Sequence, residues 1–373
     1  ATSDAITLAD NGTCTANITN NLSNRNKIIN GSQIVAQRGV SHTVPNNQNA
    51  YTLDRMRASN SNDAALTITQ SSTAPDGFAK SLKVDVTTAD TSLAAGQYSQ
   101  FRYGIEAQDL QDLAFGTSSA KACVLSFYVR SNKTGNYGVA VEQKDNSSKI
   151  VSFQYTINSA DTWERKSFII PADTSGVIYD DIGSGLELYI GLAAGTTYSS
   201  GSLRSSFSTF AQADLLAGQA VNLLDSTSNE WYITGIQLEV DHTGSGKPTD
   251  FEHRSYAQEL QLCKRYYQMF ASGVNTYTGL TSFYYNSTRI ETMVRYEPQM
   301  RTSPSLEQGS GSNYFLIYSN NQADTFNGLG GINAGTEKGG SLYQTSNISG
   351  TAGHAGGLFF NSPDAYIAFN AEL

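Results

Sequence analysis

The sequence predicts an all-β protein: a jelly-roll sandwich plus a smaller C-terminal β domain, joined by one amphipathic helix, with a β hairpin or stem at the N-terminus. Three observations predict it. Apolar and polar residues alternate with period two through most of the 373 residues, which puts one face of each segment in a core and the other in water. Turn residues punctuate the alternating runs at short intervals. Helical periodicity is confined to 255–270 and a single turn at Glu106-Ala-Gln-Asp-Leu-Gln-Asp-Leu113.

Residues 1–25 read as the stem or attachment segment. Ala5-Ile-Thr-Leu-Ala9 and Thr13-Cys-Thr-Ala-Asn-Ile-Thr19 alternate around the turn Asp10-Asn-Gly12, a hairpin pattern. Two such strands cannot bury a core alone. They need the following domain or copies of themselves, as in a trimeric stem.

Residues 26–250 carry the sandwich. Nine runs alternate: Ala65–Thr69, Ser81–Val86, Tyr98–Ile105, Cys123–Val129, Tyr137–Glu142, Ile150–Ile157, Trp163–Ile170, Leu186–Leu192 and Trp231–Val240. That number of short strands fits a jelly roll.

Residues 251–271 form the linker and helix. Ser255 and Gln258 make a capping box. Tyr256, Leu260, Cys263, Tyr267 and Phe270 follow heptad spacing, and Leu262, Tyr266 and Met269 make a second stripe. Both stripes need cover, either within one chain or from a partner's copy. The expectation is a homotrimer with Leu260, Cys263 and Tyr267 at the intersubunit face. Residues 272–373 form the C-terminal β domain, with its strongest strands at 276–285, 289–296, 314–318 and 365–373. The glycine-rich section 328–357 reads as loops and turns.

Composition excludes some functions. Charged residues are 15% and the net charge is −9, with Lys and Arg scattered singly or in pairs, so nucleic acid is not an expected partner. No apolar run approaches bilayer length, and the first residues lack the basic and apolar regions of a signal peptide. Cys14, Cys123 and Cys263 show no metal spacing and read as free thiols.

No catalytic motif stands out. The densest polar cluster, Glu252-His253-Arg254, fits a role in fixing the loop before the helix. Glu142, Glu164 and Glu187 are the carboxylates available to a hydrolase, but sequence cannot place any two across a cleft. Asp180 and Asp181 could donate oxygens to a calcium ion; no other cofactor is expected. Tyrosine is abundant at 21. Aromatic rings stack on the C–H faces of sugars, so Trp163, Tyr179 and Tyr198 are the ligand-binding candidates.

Several segments resemble bacteriophage tail-fibre-type proteins, in the order those proteins use: Asn26-Lys-Ile-Ile-Asn-Gly31, Val35-Ala-Gln-Arg-Gly39, Tyr51-Thr-Leu-Asp-Arg55, Leu125-Ser-Phe-Tyr-Val-Arg-Ser131, Thr162-Trp-Glu164, the stretch 232–267, Met300-Arg-Thr-Ser-Pro304 and Phe369-Asn-Ala-Glu-Leu373. Met56 stands where the pattern has an aromatic. The resemblance covers nearly the whole chain and rests on structural motifs. It implies a carbohydrate-binding-module-like jelly roll in a virion protein, a homotrimeric tail fibre assembled in the host cytoplasm. Such a fibre contacts other virion proteins and recognises a host-surface glycan without catalysis. The alternatives are a capsid fibre or decoration protein and an appendage polysaccharide depolymerase.

Overall fold

The structure, a computed structural model, describes residues 24–145 and 147–373 and the backbone of two short strands, 6–8 and 14–16. Those two strands pair antiparallel with Leu8 opposite Cys14, the hairpin expected from the alternation. The turn between them lies outside the described residues, as do the side chains of 1–23, Cys14 included.

The chain divides into two compact units. The first takes the described residues up to Ile34, then Ser41–Thr52 and Met56–Arg254. It is an antiparallel sandwich. One sheet has seven strands in the order Arg204–Thr209, Lys149–Ile157, Gly135–Gln143, Ser184–Ala194, Tyr98–Glu106, Arg57–Ser61, Asn49–Tyr51. The other has six, ordered Glu164–Ile170, Cys123–Ser131, Glu230–Val240, Ser81–Thr88, Ala65–Ser71, Ser41–Val44. The chain switches repeatedly between the sheets, so neighbours in space are rarely neighbours in sequence.

Its core comes from the inward half of each alternation. Trp231 is fully buried and stacks on Phe101 with centroids 5.9 Å apart. Phe127, Tyr137 and Tyr155 continue the layer. Cys123 is a buried free thiol, and burial pushes its pKa up to about 12; such a thiol is inert.

Asn26 and Gly31 have a structural task. The Asn26 Nδ2 donates to Ile236 O at 3.0 Å, and its Oδ1 accepts from Ile28 N and Leu238 N. At Gly31 a Cβ would stand 2.1 Å from Ile236 O, so only glycine lets the entering chain lie against the strand Glu230–Val240. Arg254 donates to the Asn26 and Ile28 carbonyls, and Glu252 accepts from Asn26 N at 2.7 Å. His253 packs among Phe78 and Phe251. The Glu252-His253-Arg254 cluster thus fixes the end of the unit.

The second unit takes Ser255–Leu373 together with Val35–Val40 and Leu53–Arg55, two segments that the sequence reading placed in the sandwich. A three-stranded sheet, ordered Tyr267–Ser272, Tyr366–Asn370, Ser305–Gln308, and a seven-stranded sheet enclose its core. The larger sheet is ordered Gln322–Phe326, Phe315–Ser319, Ala355–Phe360, Thr276–Asn286, Arg289–Arg295, Gly339–Gln344, Gly331–Asn333. Two of these strands, Gly331–Asn333 and Gly339–Gln344, fall inside 328–357 and a third, Ala355–Phe360, begins there, which corrects the expectation of loops and turns. Glycine is used for close approach: at Gly357 a Cβ would stand 2.6 Å from the Tyr277 ring.

The helix is shorter than its periodicity suggested. It spans Tyr256–Lys264, with the expected Ser255–Gln258 capping box. Tyr267 begins a strand and pairs with Asn370. The heptad seam to Phe270 therefore does not form. Tertiary pairing overrides the pattern, because two arginines clamp the tyrosines where the helix ends. The Arg55 Cζ lies 3.5 Å over the Tyr266 ring and the Arg38 Cζ 3.6 Å over the Tyr267 ring. Both guanidinium groups pair with Glu372. Gln37 donates to Asp54 and to Tyr267 O. Residues from four stretches far apart in the chain, 35–39, 51–55, 232–267 and 369–373, meet in this one cluster.

Candidate functional site

The candidate residues of the sandwich are scattered. Trp163 precedes the strand Glu164–Ile170, half-buried, its edge on Tyr232 with centroids 6.1 Å apart. Tyr198, in the short helix Thr196–Ser199, is half-buried and tilts against Tyr98 at 4.7 Å. It packs with Leu215 and Leu216, which cover part of the outer face of the seven-stranded sheet. Tyr179 is 51% exposed, and its backbone N–H donates to Asp145 Oδ2 at 3.0 Å.

Asp180 and Asp181 are both exposed. The Asp181 Oδ1 accepts from Gly183 N at 2.7 Å, a turn contact. Burial, together with the Asp181 charge, raises the Asp145 carboxyl above its usual range, against a lowering hydrogen bond from Tyr179. Among the described residues no three His, Cys, Asp or Glu side chains converge as a metal cage requires. The loop gathers the like charges of Asp145 and Asp181.

The proposed interface residues lie in the second unit. Cys263 and Tyr267 are buried within the single chain and Leu260 is half-buried. The exposed large apolar residues of the helix are Tyr256 and Leu262.

The structure does bring two carboxylates together. Glu142 and Glu187 stand directly opposite each other on neighbouring strands of the first unit's seven-stranded sheet. The Tyr189 hydroxyl lies 2.6 Å from Glu142 Oε2 and 2.8 Å from Glu187 Oε2. Lys144 reaches both carboxylates, at 3.1 and 3.6 Å, and Arg102 pairs with Glu187 at 2.7 Å. The Glu142 side chain is only 4% exposed. Burial and the Glu187 charge hold the Tyr189 phenol far above its ordinary pKa, so it stays a donor. Cations and a hydroxyl occupy both carboxylates, leaving no open pair flanking a substrate-sized gap. Glu164 lies in the other sheet.

The second unit presents a different surface. On its seven-stranded sheet Phe315, Ile317 and Ser319 face inward, while Leu316 and Tyr318 face out. Tyr318 is in register with Gly357, and Tyr277 with Phe359. Because Gly357 has no side chain, the Tyr277 ring lies over it, edge-on to Phe359 at 4.9 Å. Tyr277 is 57% exposed, Tyr318 43% and Tyr285 62%, with Met293 also exposed. The result is a wet sheet face carrying tyrosine rings with small residues between them. Sequence reasoning chose other rings. The signal was nonetheless present, since in Phe315-Leu-Ile-Tyr-Ser319 the tyrosine is out of phase with the core residues.

No family model matches the chain, and no curated protein matches it. Solved structures similar to it include the enzymatically active domain of tailspike protein 4 of bacteriophage CBA120, at 10% identity and a TM-score of 0.31, covering 58% of this chain and 21% of that one. A CBM4 structure matches at 13% identity and a TM-score of 0.27, covering 57% of this chain and 98% of the other. The family 11 carbohydrate-binding module of the cellulase Lic26A-Cel5E of Clostridium thermocellum matches at 11% and 0.28, covering 54% and 94%. The chain thus spans about a fifth of the tailspike structure it matches. None of these likenesses carries a ligand or an activity over to this chain.

Proposed function

We propose that this chain is a non-catalytic, glycan-binding virion protein, a homotrimeric tail fibre that recognises a host-surface glycan. The observation that supports glycan binding is the exposed tyrosine face of the second unit, built around Tyr277, Tyr318 and Tyr285. Sugar rings stack on such faces through their C–H surfaces. Individual contacts of this kind are weak, and three copies on one fibre would give avidity without new contacts. The clamped state of Glu142 and Glu187 favours binding over depolymerisation. The fibre assignment itself rests on the resemblance of the sequence segments.

The test is equilibrium binding of the full chain to a panel of bacterial surface polysaccharides, with product analysis on the same samples. Saturable binding with no new reducing ends supports the reading. New reducing ends would replace it with a depolymerase, and a stable monomer by light scattering would remove the trimer.

A further inference from the structure

A polar pocket of about 150 Å³ lies at one end of the second unit's seven-stranded sheet. It is on the inward side of the sheet, opposite the tyrosine face. One wall is the hairpin Phe315–Ser319 to Gln322–Phe326. Its turn residues Asn320 and Asn321 both have left-handed φ, +49° and +59°, the geometry of a tight hairpin turn. The other wall is the loop before the strand Ala355–Phe360, and Tyr284 forms the floor.

The pocket is built rather than incidental. At Gly350 a Cβ would stand 2.2 Å from the Tyr284 ring, so the loop backbone lies directly on it. Gly350 N donates to Ser287 O, Gly353 N to Tyr284 O, and Tyr284 N to His354 O. The Tyr284 hydroxyl and Ser349 N both donate to Asp324 Oδ2, at 3.2 and 2.8 Å. That leaves Asp324 Oδ1 open as an acceptor. Among the described residues no Lys or Arg pairs with this carboxylate. The side chains of Asn320, Gln322, Thr351 and His354 line the same space and make no hydrogen bond to any described residue.

We propose that this pocket binds one uncharged sugar ring, with vicinal hydroxyls bonded by Asp324, Gln322 and Thr351. Unengaged amides, hydroxyls and an imidazole offer both donors and acceptors, as a polyol needs. The volume is well below the roughly 300 Å³ at which drug-sized pockets begin, so the pocket itself holds a single ring. Asp324 lies in the pocket without a cation beside it, so uronic acids and phosphorylated sugars are repelled. The site is independent of the tyrosine face and gives a fibre a way to read the identity of a chain end.

The experiment titrates the full-length chain with neutral methyl hexosides, N-acetylhexosamines, glucuronate and calcium chloride, observed by NMR. Saturable shifts with at least one neutral sugar and none with glucuronate are expected. Gln322 and Thr351 are exposed, so Gln322→Ala and Thr351→Val leave the fold intact, and each should weaken binding about tenfold, the equivalent of one good hydrogen bond. Asp324→Asn should weaken neutral sugars and relax the exclusion of glucuronate. Tyr277→Ala should leave the shifts of the pocket residues unchanged, whatever it does at the tyrosine face, which separates failure of this site from failure of that face. Glucuronate binding as well as neutral sugars, binding untouched by all three pocket variants, binding of calcium alone, or no saturation by any neutral sugar would each overturn the proposal.

Discussion

The two units are both antiparallel β structures, yet they treat the outer faces of their large sheets differently. On the sandwich, Arg102, Glu187, Tyr189, Glu142 and Lys144 satisfy one another, and Leu215, Leu216 and Tyr198 cover the neighbouring surface. On the second unit the corresponding face is left wet, with Tyr277, Tyr285, Tyr318 and Met293 exposed. A face whose groups are occupied internally has little left for a partner. A face that keeps large rings in water gives up burial energy, and binding recovers it.

The strongest way to break this comparison is to remove the buried charge cluster on which the second unit depends. Glu372→Ala leaves Arg38 and Arg55 without their shared carboxylate, and should cost about 3–5 kcal/mol. Calorimetry should show the loss in the transition of the second unit, together with loss of glycan binding. A cost below about 1 kcal/mol would show that the cluster is not what orders this unit.

Tyr189→Phe tests the sandwich. The shared hydroxyl of Glu142 and Glu187 disappears, and stability should fall by about 1–3 kcal/mol. Glycan binding should not change in this variant. If binding is lost while the fold survives, the charged network is a ligand site and the comparison is reversed.

A double substitution, Tyr277→Ala with Tyr318→Ala, should alter stability only by about 0.5 kcal/mol, because these rings are exposed. Adsorption to a polysaccharide should fall steeply. Tyr179→Ala, Tyr198→Ala and Trp163→Ala sharpen the point. Tyr198 and Trp163 are half-buried and should show a stability cost, whereas Tyr179 should show none.

The smallest effect is a pH dependence. Burial would raise the Glu164 carboxyl, but hydrogen bonds from Lys166, Ser159 N and Asn158 outweigh it and lower the pKa from 4.5 to about 2. A carboxylate lowered in the folded state contributes stability above its unfolded pKa, and that contribution is lost as pH falls from about 4.5 towards 2. Glu164→Gln should make the acid melting curve shallower in that window. An unchanged curve would show that the connection 158–164 between the two sheets does not contribute.

Much of the fold was legible because alternation is a local signal. Trp231 to Val240 and Cys123 to Val129 could be read directly. The strand Arg57–Ser61 was missed: Arg57-Ala-Ser-Asn-Ser61 lacks β-branched residues, and its place is set by pairing with Tyr98–Glu106. The helix end was misread because the local heptad spacing continues through Tyr267, while Arg38, some 230 residues earlier in the chain, determines where that ring sits. Glu142 and Glu187 were visible as carboxylates. Only the register of their strands makes them a pair. The tyrosine face was hidden for the same reason: exposure belongs to the assembled sheet and not to any one strand.

On this reading the second unit's tyrosine face binds glycan without cleaving it. The most direct measurement is a titration of bacterial surface polysaccharides with the full chain and with the Tyr277→Ala, Tyr318→Ala variant, followed by counting reducing ends. Expected are saturable binding by the parent chain, a large loss in the variant at unchanged melting temperature, and no new ends in either. Equal binding by both proteins, or release of new ends by the parent chain, would contradict it.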